Sequence, residues 1–316
     1  MQKIDISIII ATRNREQILK KSVAKACKVI AQKNVEIIVV NDGEAFLPDD
    51  IPDGIAIQYL DNQQKGVSAA RNLGVRHSKG EILFFVDDDM WISKQAISWI
   101  KHTLLVNTPA NAVYNMNWIY PPSLSEKLND SKIGRYILRS GYNTMWGRMH
   151  EKGKPPAAGL YAFNVIASCS LVMKKEVFDK IGGYNEKVVF QGEDIDLANK
   201  IRSFAIPIFC VFDVTLYHNQ QDRLEIGGFL SRLSTGYGSE FKAVQAGLIQ
   251  PHSNRIYRGL GKIIFEIFRL TDKLWIGLYK LIPNRPFFKP VTNRLIGLLA
   301  GLERYKEWRK VYKGKK

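Results

Sequence analysis

Apolar residues in this chain come in short blocks separated by polar turns. Ile6-Ser7-Ile8-Ile9-Ile10, Glu36-Ile37-Ile38-Val39-Val40 and Ile82-Leu83-Phe84-Phe85-Val86 are apolar nearly throughout, the pattern of strands buried on both faces of a sheet. Ile55 to Leu60 reads as a weaker strand, Ala167 to Met173 as another, and Pro207 to Val214 as a further one. Glu16 to Ala31 places Ile18, Leu19, Val23, Ala26, Cys27 and Ile30 at helical spacing. Lys65 to Gly74 reads as a loop entering a helix, and Lys175 to Ile181 as a short helix closed by Gly182-Gly183. Strands alternating with helices predict an α/β domain with a mostly parallel central sheet flanked by helices.

Polar groups follow three of these strands directly: Thr12-Arg13-Asn14-Arg15, Asn41-Asp42-Gly43 and Asp87-Asp88-Asp89. In parallel sheets, ligands collect at the carboxyl ends of the strands. Three carboxylates in a row repel one another until a cation arrives, and hard oxygen donors suit Mn²⁺ or Mg²⁺. A solvated acidic turn is the plainer alternative for an isolated cluster.

The order Ser-Ile-Ile-Ile-Ala-Thr-Arg-Asn-Arg, Glu-Ile-Ile-Val-Val-Asn-Asp-Gly, Lys-Gly-Val-Ser-Ala-Ala-Arg-Asn-Leu-Gly and Phe-Val-Asp-Asp-Asp resembles the family 2 glycosyltransferases with the GT-A fold, over residues 4 to about 220. The resemblance implies that Thr12, Arg13, Asn14 and Arg15 line a nucleoside pocket. It implies that Asp42 accepts a hydrogen bond from the base, usually N3–H of uracil, and that Arg71 lies near the acidic motif and the diphosphate. Asp87 and Asp89 match the outer positions of the family's Asp-any-Asp motif, with Asp89 the direct metal ligand and Asp87 reaching toward ribose or metal. Asp88 would face the donor sugar, and Trp91 would floor that sugar or simply pack. The metal would be Mn²⁺ or Mg²⁺, with His218 returning to it from the region after the last strand.

Further along, Phe178 to Asn185 and Gly192-Glu193-Asp194-Ile195-Asp196-Leu197 continue the resemblance. Glu193 and Asp194 would open a helix, where the dipole alone favours ionised carboxylates. In the family, the matching aspartate is the general base, so Asp194 would take the acceptor's proton and Glu193 would orient it or touch the acceptor. The reaction would invert the anomeric centre. No Gln-any-any-Arg-Trp pentapeptide occurs, so transfer is expected to be non-processive. The implied partners are a nucleotide-diphosphate sugar, UDP-linked through the Asp42 match, and a glycan or lipid-linked glycan of the cell surface.

Asn107 to Gly159 is poorly patterned and punctuated by Pro121-Pro122 and Pro155-Pro156. Its Trp118, Tyr120, Tyr136, Tyr142 and Trp146 suit an acceptor loop, or a packed helical insertion over residues 124 to 140. Beyond residue 222 the chain changes character. Pro251 to Lys316 holds 16 Lys and Arg against 4 Asp and Glu, a net +12 of the chain's +16. Ile263, Ile264, Ile267, Leu270, Leu274, Leu278 and Leu281 recur there at helical spacing, with Lys262, Glu266, Arg269, Lys273 and Lys280 opposite. Leu295 to Leu302 is a second apolar patch.

No apolar stretch reaches the roughly 20 residues that span a bilayer. A basic amphipathic region carrying Phe268 and Trp275 suits the surface of an anionic membrane instead. The expected organisation is a catalytic domain over 1–222, with a nucleotide-sugar half (1–106) and an acceptor half (107–222). A basic helical appendage would cover 223–316.

Cys27, Cys169 and Cys210 lie in apolar segments without paired spacing, which fits a reducing compartment. The first strand starts almost at once, leaving no room for a signal peptide. Both suit a cytosolic enzyme, and with the basic tail the expectation is a peripheral protein on the cytoplasmic face of a membrane. A sugar nucleotidyltransferase is disfavoured because Ala11 to Arg15 has no glycine. Nucleic-acid binding is suggested by the charge alone, since no recognised motif accompanies it. A catalytically dead scaffold is at odds with an intact set of Asp42, Asp87, Asp89 and Asp194.

Overall fold

The computed structural model describes residues 3–30, 34–44, 55–106, 111–147, 156–188, 192–221, 225–247 and 259–313. In chain order the elements are β1 (Ile6–Thr12), α1 (Glu16–Val29), β2 (Val35–Asn41), β3 (Ala56–Asp61), α2 (Val67–His77), β4 (Ile82–Asp87), β5 (Met90–Trp91), α3 (Lys94–Ile100) and β6 (Val113–Ile119). They continue as α4 (Pro122–Asn129), α5 (Lys132–Arg139), β7 (Leu160–Phe163), β8 (Ser170–Lys174), α6 (Lys175–Lys180), α7 (Glu193–Ser203) and β9 (Ile208–His218). Four further helices follow: α8 (Ile226–Gln245), α9 (Gly259–Leu270), α10 (Asp272–Leu281) and α11 (Lys289–Lys313).

The fold divides into two compact units, Met1–Pro121 with Thr144–Asn219, and Pro122–Asn143 with Gln220–Lys316. The sequence placed one boundary near residue 222. The second unit in fact also takes in α4 and α5 from the middle of the chain, the segment for which a helical insertion was the alternative reading.

The first unit is built on one sheet in the order β3-β2-β1-β4-β8-β6-β9-β5, with β7 pairing β9. Strands β3, β2, β1 and β4 are mutually parallel. Beyond them β8 enters antiparallel to both β4 and β6, while β6 and β9 run parallel. The mostly parallel sheet expected from sequence is therefore parallel in its first half and mixed in its second. Strand β8 runs against β4 and β6, and β5 and β7 run against β9.

Alternate residues of the buried strands feed two cores. Ile8, Ile10, Phe84 and Val86 face one layer together with Leu19, Val23 and Ala26 of α1. Ile9, Leu83 and Phe85 face the other together with Val177, Phe178, Leu197 and Ile201 of α6 and α7. The period-2 alternation of a strand makes both faces apolar here, which is why the strands read as continuous apolar runs.

Parallel register aligns the strand ends. Thr12 pairs with Asn41, Asn41 with Asp61, and Ala11 with Asp87. Every polar tip picked out from the sequence in this half lies on that one edge. The turns there are close. A Cβ on Gly43 would collide with Asn14 Oδ1 and fall 2.8 Å from Asn14 N, so no side chain fits at 43 unless the Asn14 turn moves.

In the second unit, α8 and α11 pack through Phe241 and Tyr305, with Tyr237, Trp308 and Tyr312 around them. Lys132 of α5 donates to the Tyr279 and Ile282 carbonyls, which ties α5 to the end of α10.

Candidate functional site

The acidic cluster at the end of β4 is divided among several partners. Asp89, 1% exposed, accepts from Arg15 Nη2 at 2.9 Å through Oδ2, while its Oδ1 faces His218 Nε2 at 2.9 Å. Burial alone would lift the Asp89 pKa. The His218 and Arg15 charges outweigh it and hold Asp89 well below the ordinary carboxylate range. Asp88 is also buried and accepts from Thr12 Oγ1 at 2.8 Å and Arg15 Nη1 at 2.5 Å. Its carboxylate, expected from sequence to face a donor sugar, is thus held against the β1 turn. Thr12 and Arg15, expected in a nucleoside pocket, are the groups holding it.

Asp87, Asp89 and His218 each offer one ligand atom within 4.8 Å of the others. Two carboxylates and an imidazole form a donor set that suits Mn²⁺ or Mg²⁺, so the residues present fit such an ion. His218 ends β9 and reaches the cluster because β5 pairs it with Met90, immediately after the aspartates. Its ring is held edge-on by Trp118, with centroids 4.8 Å apart, and by Tyr120 at 6.2 Å.

Those two aromatics were expected in an acceptor loop. They belong instead to the end of β6 and the residue just past it. β6 was missed because Asn115 and Asn117 interrupt its apolar pattern. Both are buried, and Asn115 is satisfied by the backbone of the segment before β8, accepting from Ala167 N at 2.8 Å and donating to Val165 O at 3.2 Å. Tyr136 and Tyr142 pack on Phe229 within the helical unit. Trp91 carries Lys25 Nζ over its ring at 3.8 Å.

At the neighbouring strand ends, Asp42 Oδ1 accepts from Gly66 N at 2.6 Å and Asn62 Nδ2 at 2.8 Å. Arg13 Nη1 lies 3.9 Å from Asp42 Oδ2. One carboxylate oxygen is therefore fixed by the chain, and the other faces only a long, half-solvated ion pair among the described residues. Asn14 adopts a positive φ of 53° and accepts from Glu44 N at 2.9 Å, so its part is to shape the turn.

Arg71 joins the two halves of the first unit. It is 4% exposed and donates to Asp87 Oδ1 at 3.1 Å and to Glu193 Oε1 at 3.2 Å. Burial opposes its charge, but Tyr184, Asp87, Glu193 and Asp194 more than compensate and keep the guanidinium charged.

The α7 acids look outward from their own helix. Gly192 precedes them at φ 102°, a conformation that side chains rarely adopt, and it supplies no side-chain cap. Asp194 Oδ1 accepts from Ser168 N at 3.1 Å and from the Ser168 hydroxyl. That hydroxyl in turn accepts from Tyr184 Oη at 2.8 Å. Burial, and after it the adjacent Glu193 carboxylate, push the Asp194 pKa up to about 7 against the pull of Arg71 and Ser168.

Ser168 and Tyr184 were not singled out from the sequence. Tyr184 stood in the quoted Gly-Gly-Tyr-Asn stretch, whereas Ser168, read as part of a strand, lies just before β8 and carried no signal of its own.

The family profile described as Glycosyl transferase family 2 matches residues 7–182. An uncharacterized glycosyltransferase of Haemophilus influenzae is 23% identical over 292 residues, 85% of this chain and 92% of its own length. The glycosyltransferase GlyA of Streptococcus pneumoniae serotype 4 is 34% identical over 99 residues, 29% of this chain and 14% of that protein. Against y4gI of Sinorhizobium fredii, GlyA, and EpsH of Bacillus subtilis, the match spans 24%, 14% and 26% of the relative's length.

Among solved structures, the mannosyltransferase PcManGT of Pyrobaculum calidifontis, in complex with GDP-Man and Mn²⁺, superposes with a TM-score of 0.51 at 13% identity, covering 96% of this chain and 88% of that one. GalNAc-T7 with UDP, GalNAc and Mn²⁺ superposes at 0.52 and 12% identity, covering 99% and 57%. At these identities the likeness is one of fold.

Proposed function

The chain belongs to glycosyl transferase family 2, and from that premise we propose that it transfers a sugar from a nucleotide-diphosphate donor to a hydroxyl of a glycan or lipid-linked glycan, inverting the donor carbon. The observation that carries this reading is the convergence of Asp87, Asp89 and His218 at the carboxyl edge of the sheet. A divalent ion held there would supply Lewis-acid neutralisation of the departing diphosphate.

The chain's own groups divide the remaining work. Asp42 Oδ2 accepts the imide N–H of a uracil base, a charge-assisted bond, while Oδ1 keeps the carboxylate fixed. Arg71 sets the spacing between the acidic edge and α7. Asp194 accepts the proton of the acceptor hydroxyl as that oxygen bonds to the anomeric carbon and the bond to the diphosphate oxygen breaks. A carboxyl poised near pH 7 is suited to that task. Glu193, paired to Arg71, is a positioning residue. The reading extends to a non-processive enzyme of cell-surface polysaccharide or glycolipid assembly.

The test is calorimetric titration of the full chain with UDP, dTDP and GDP in Mn²⁺, repeated in EDTA and with Asp89→Ala. Binding of UDP that falls by about 100-fold on chelation or substitution is expected. If no nucleotide binds in a metal-dependent way, the donor reading fails.

The Ser168 hydroxyl lowers the Asp194 pKa. Ser168→Ala should therefore move the pH midpoint of transfer upward by roughly half to one unit, the worth of one hydrogen bond. An unmoved midpoint would mean that the hydroxyl does not act on the base.

A further inference from the structure

Exposed large apolar side chains are not spread evenly over this protein. Among the described residues thirteen stand out, and nine of them fall between Ile263 and Val291. On α9 they are Ile263, Ile264, Ile267 and Leu270, and on α10 Leu274, Leu278 and Leu281. Phe287, 85% exposed, and Val291 extend the row to the start of α11.

The spacing i, i+1, i+4, i+7 places each set on one helix face, and the opposite face is already occupied. Glu266 pairs with Arg269 and Arg309 and accepts from Tyr305 Oη at 2.8 Å. Gly301 lies against the Phe265 ring. The apolar residues of the second patch read from the sequence, Leu295, Ile296, Leu299 and Leu302, are buried, so they take no part in the exposed row. Contiguous apolar surface of this kind marks an interaction site.

Charge selects the occupant. The two acids within residues 259–294 are both engaged on the packed side, Glu266 as above and Asp272 with Lys306 at 2.9 Å. The basic groups left exposed in the same span are Lys262, Lys273, Lys280, Arg285, Lys289 and Arg294. An apolar row bordered by cations and stripped of outward anions complements an apolar layer capped by anionic headgroups. A second copy of this chain would oppose like charge to like charge. No helix among the described residues is long and apolar enough to cross a membrane.

We propose that α9, α10 and the start of α11 form an in-plane seat on an anionic lipid bilayer, with the apolar row dipped below the headgroups and the six cations at their level. Trp275 suits that level, with an indole N–H that donates to Thr271 Oγ1 at 2.9 Å and a ring packed edge-on against Phe268. The seat is independent of the donor-site chemistry.

Flotation of the full chain with phosphatidylcholine vesicles, with and without 30% phosphatidylglycerol, tests it. Retention on the anionic vesicles at 0.1 M salt is expected, weakening at 0.5 M salt. Ile267→Glu with Leu274→Glu should reduce retention at least tenfold, with UDP binding and the circular dichroism spectrum unchanged. Lys273→Glu with Lys280→Glu, at exposed positions, should reduce it on anionic vesicles and leave it unchanged on neutral ones. Absence of flotation with anionic vesicles overturns the proposal. Equal flotation by the apolar variant does so as well. A wild-type dimer in light scattering that becomes monomeric in the apolar variant would assign the face to a second copy, and salt-sensitive binding to duplex DNA without flotation would assign it to nucleic acid.

Discussion

Asp194→Asn is expected to remove transfer while leaving nucleotide binding intact. The amide keeps an oxygen where Ser168 N and the Ser168 hydroxyl donate, so the side chain retains its place, and it adds no charge and little volume. What it loses is the lone pair that, in the proposed reaction, takes the acceptor's proton. Removal of a positioned general base costs about 10² to 10⁴ in rate. If Asp194 is the base, the same carboxyl, with its pKa pushed up to about 7, should set the pH profile of the unsubstituted enzyme. It is mostly protonated at pH 6 and mostly ionised at pH 8, so turnover should rise about tenfold across that interval and then level off. The sign follows from the base being active only when ionised. Turnover measured at saturating donor, alongside nucleotide affinity by calorimetry, separates the two effects. A variant that keeps more than about a tenth of wild-type turnover with a pH profile still rising through 7 would move the base elsewhere.

Much of this site was legible because parallel strands place their carboxyl ends at one edge whatever follows them. Thr12, Asp42 and Asp87 lie together for that reason, and an apolar run followed by a polar turn is visible in any sequence. His218 was legible only through its resemblance, since a lone histidine has no periodicity to give it away. Its place depends on the two-residue pairing of β5 with β9, too short to leave a pattern.

The contacts that were not legible connect residues far apart in the chain. Arg71 meets Glu193 across 122 positions, and Thr12 meets Asp88 across 76. Nothing in local sequence reports such a partner. β6 escaped for a different reason: buried asparagines that bond to a neighbouring segment look like loop residues until that segment is in place. In the helical unit the spacing of Ile263 through Leu281 was plain, and that row is exposed. What spacing could not report was the partner of the opposite face, where Glu266 pairs with Arg309 and Tyr305 of α11.

Arg71→Met should cost the fold about 3 kcal/mol, the lower end for leaving a buried ion pair half removed, because Asp87 keeps about a third of its side chain in solvent. Methionine fills much of the same volume, so the loss reports charge rather than a cavity. The destabilisation should appear as a lower urea midpoint with an unchanged slope. Arg71→Lys is not a rescue, since one ammonium cannot span Asp87 and Glu193 with the two separate donors of a guanidinium. Removing the abandoned charge is the better remedy. Arg71→Met combined with Glu193→Gln should be more stable than Arg71→Met alone, with a coupling of about 1 kcal/mol or more in the double-mutant cycle. Strict additivity of the two substitutions would mean that the 3.2 Å contact between Arg71 and Glu193 contributes nothing. The link between the acidic edge of the sheet and the helix bearing Asp194 would then have to run through Tyr184, whose ring lies 5.4 Å from the guanidinium and whose hydroxyl reaches Asp194 through Ser168.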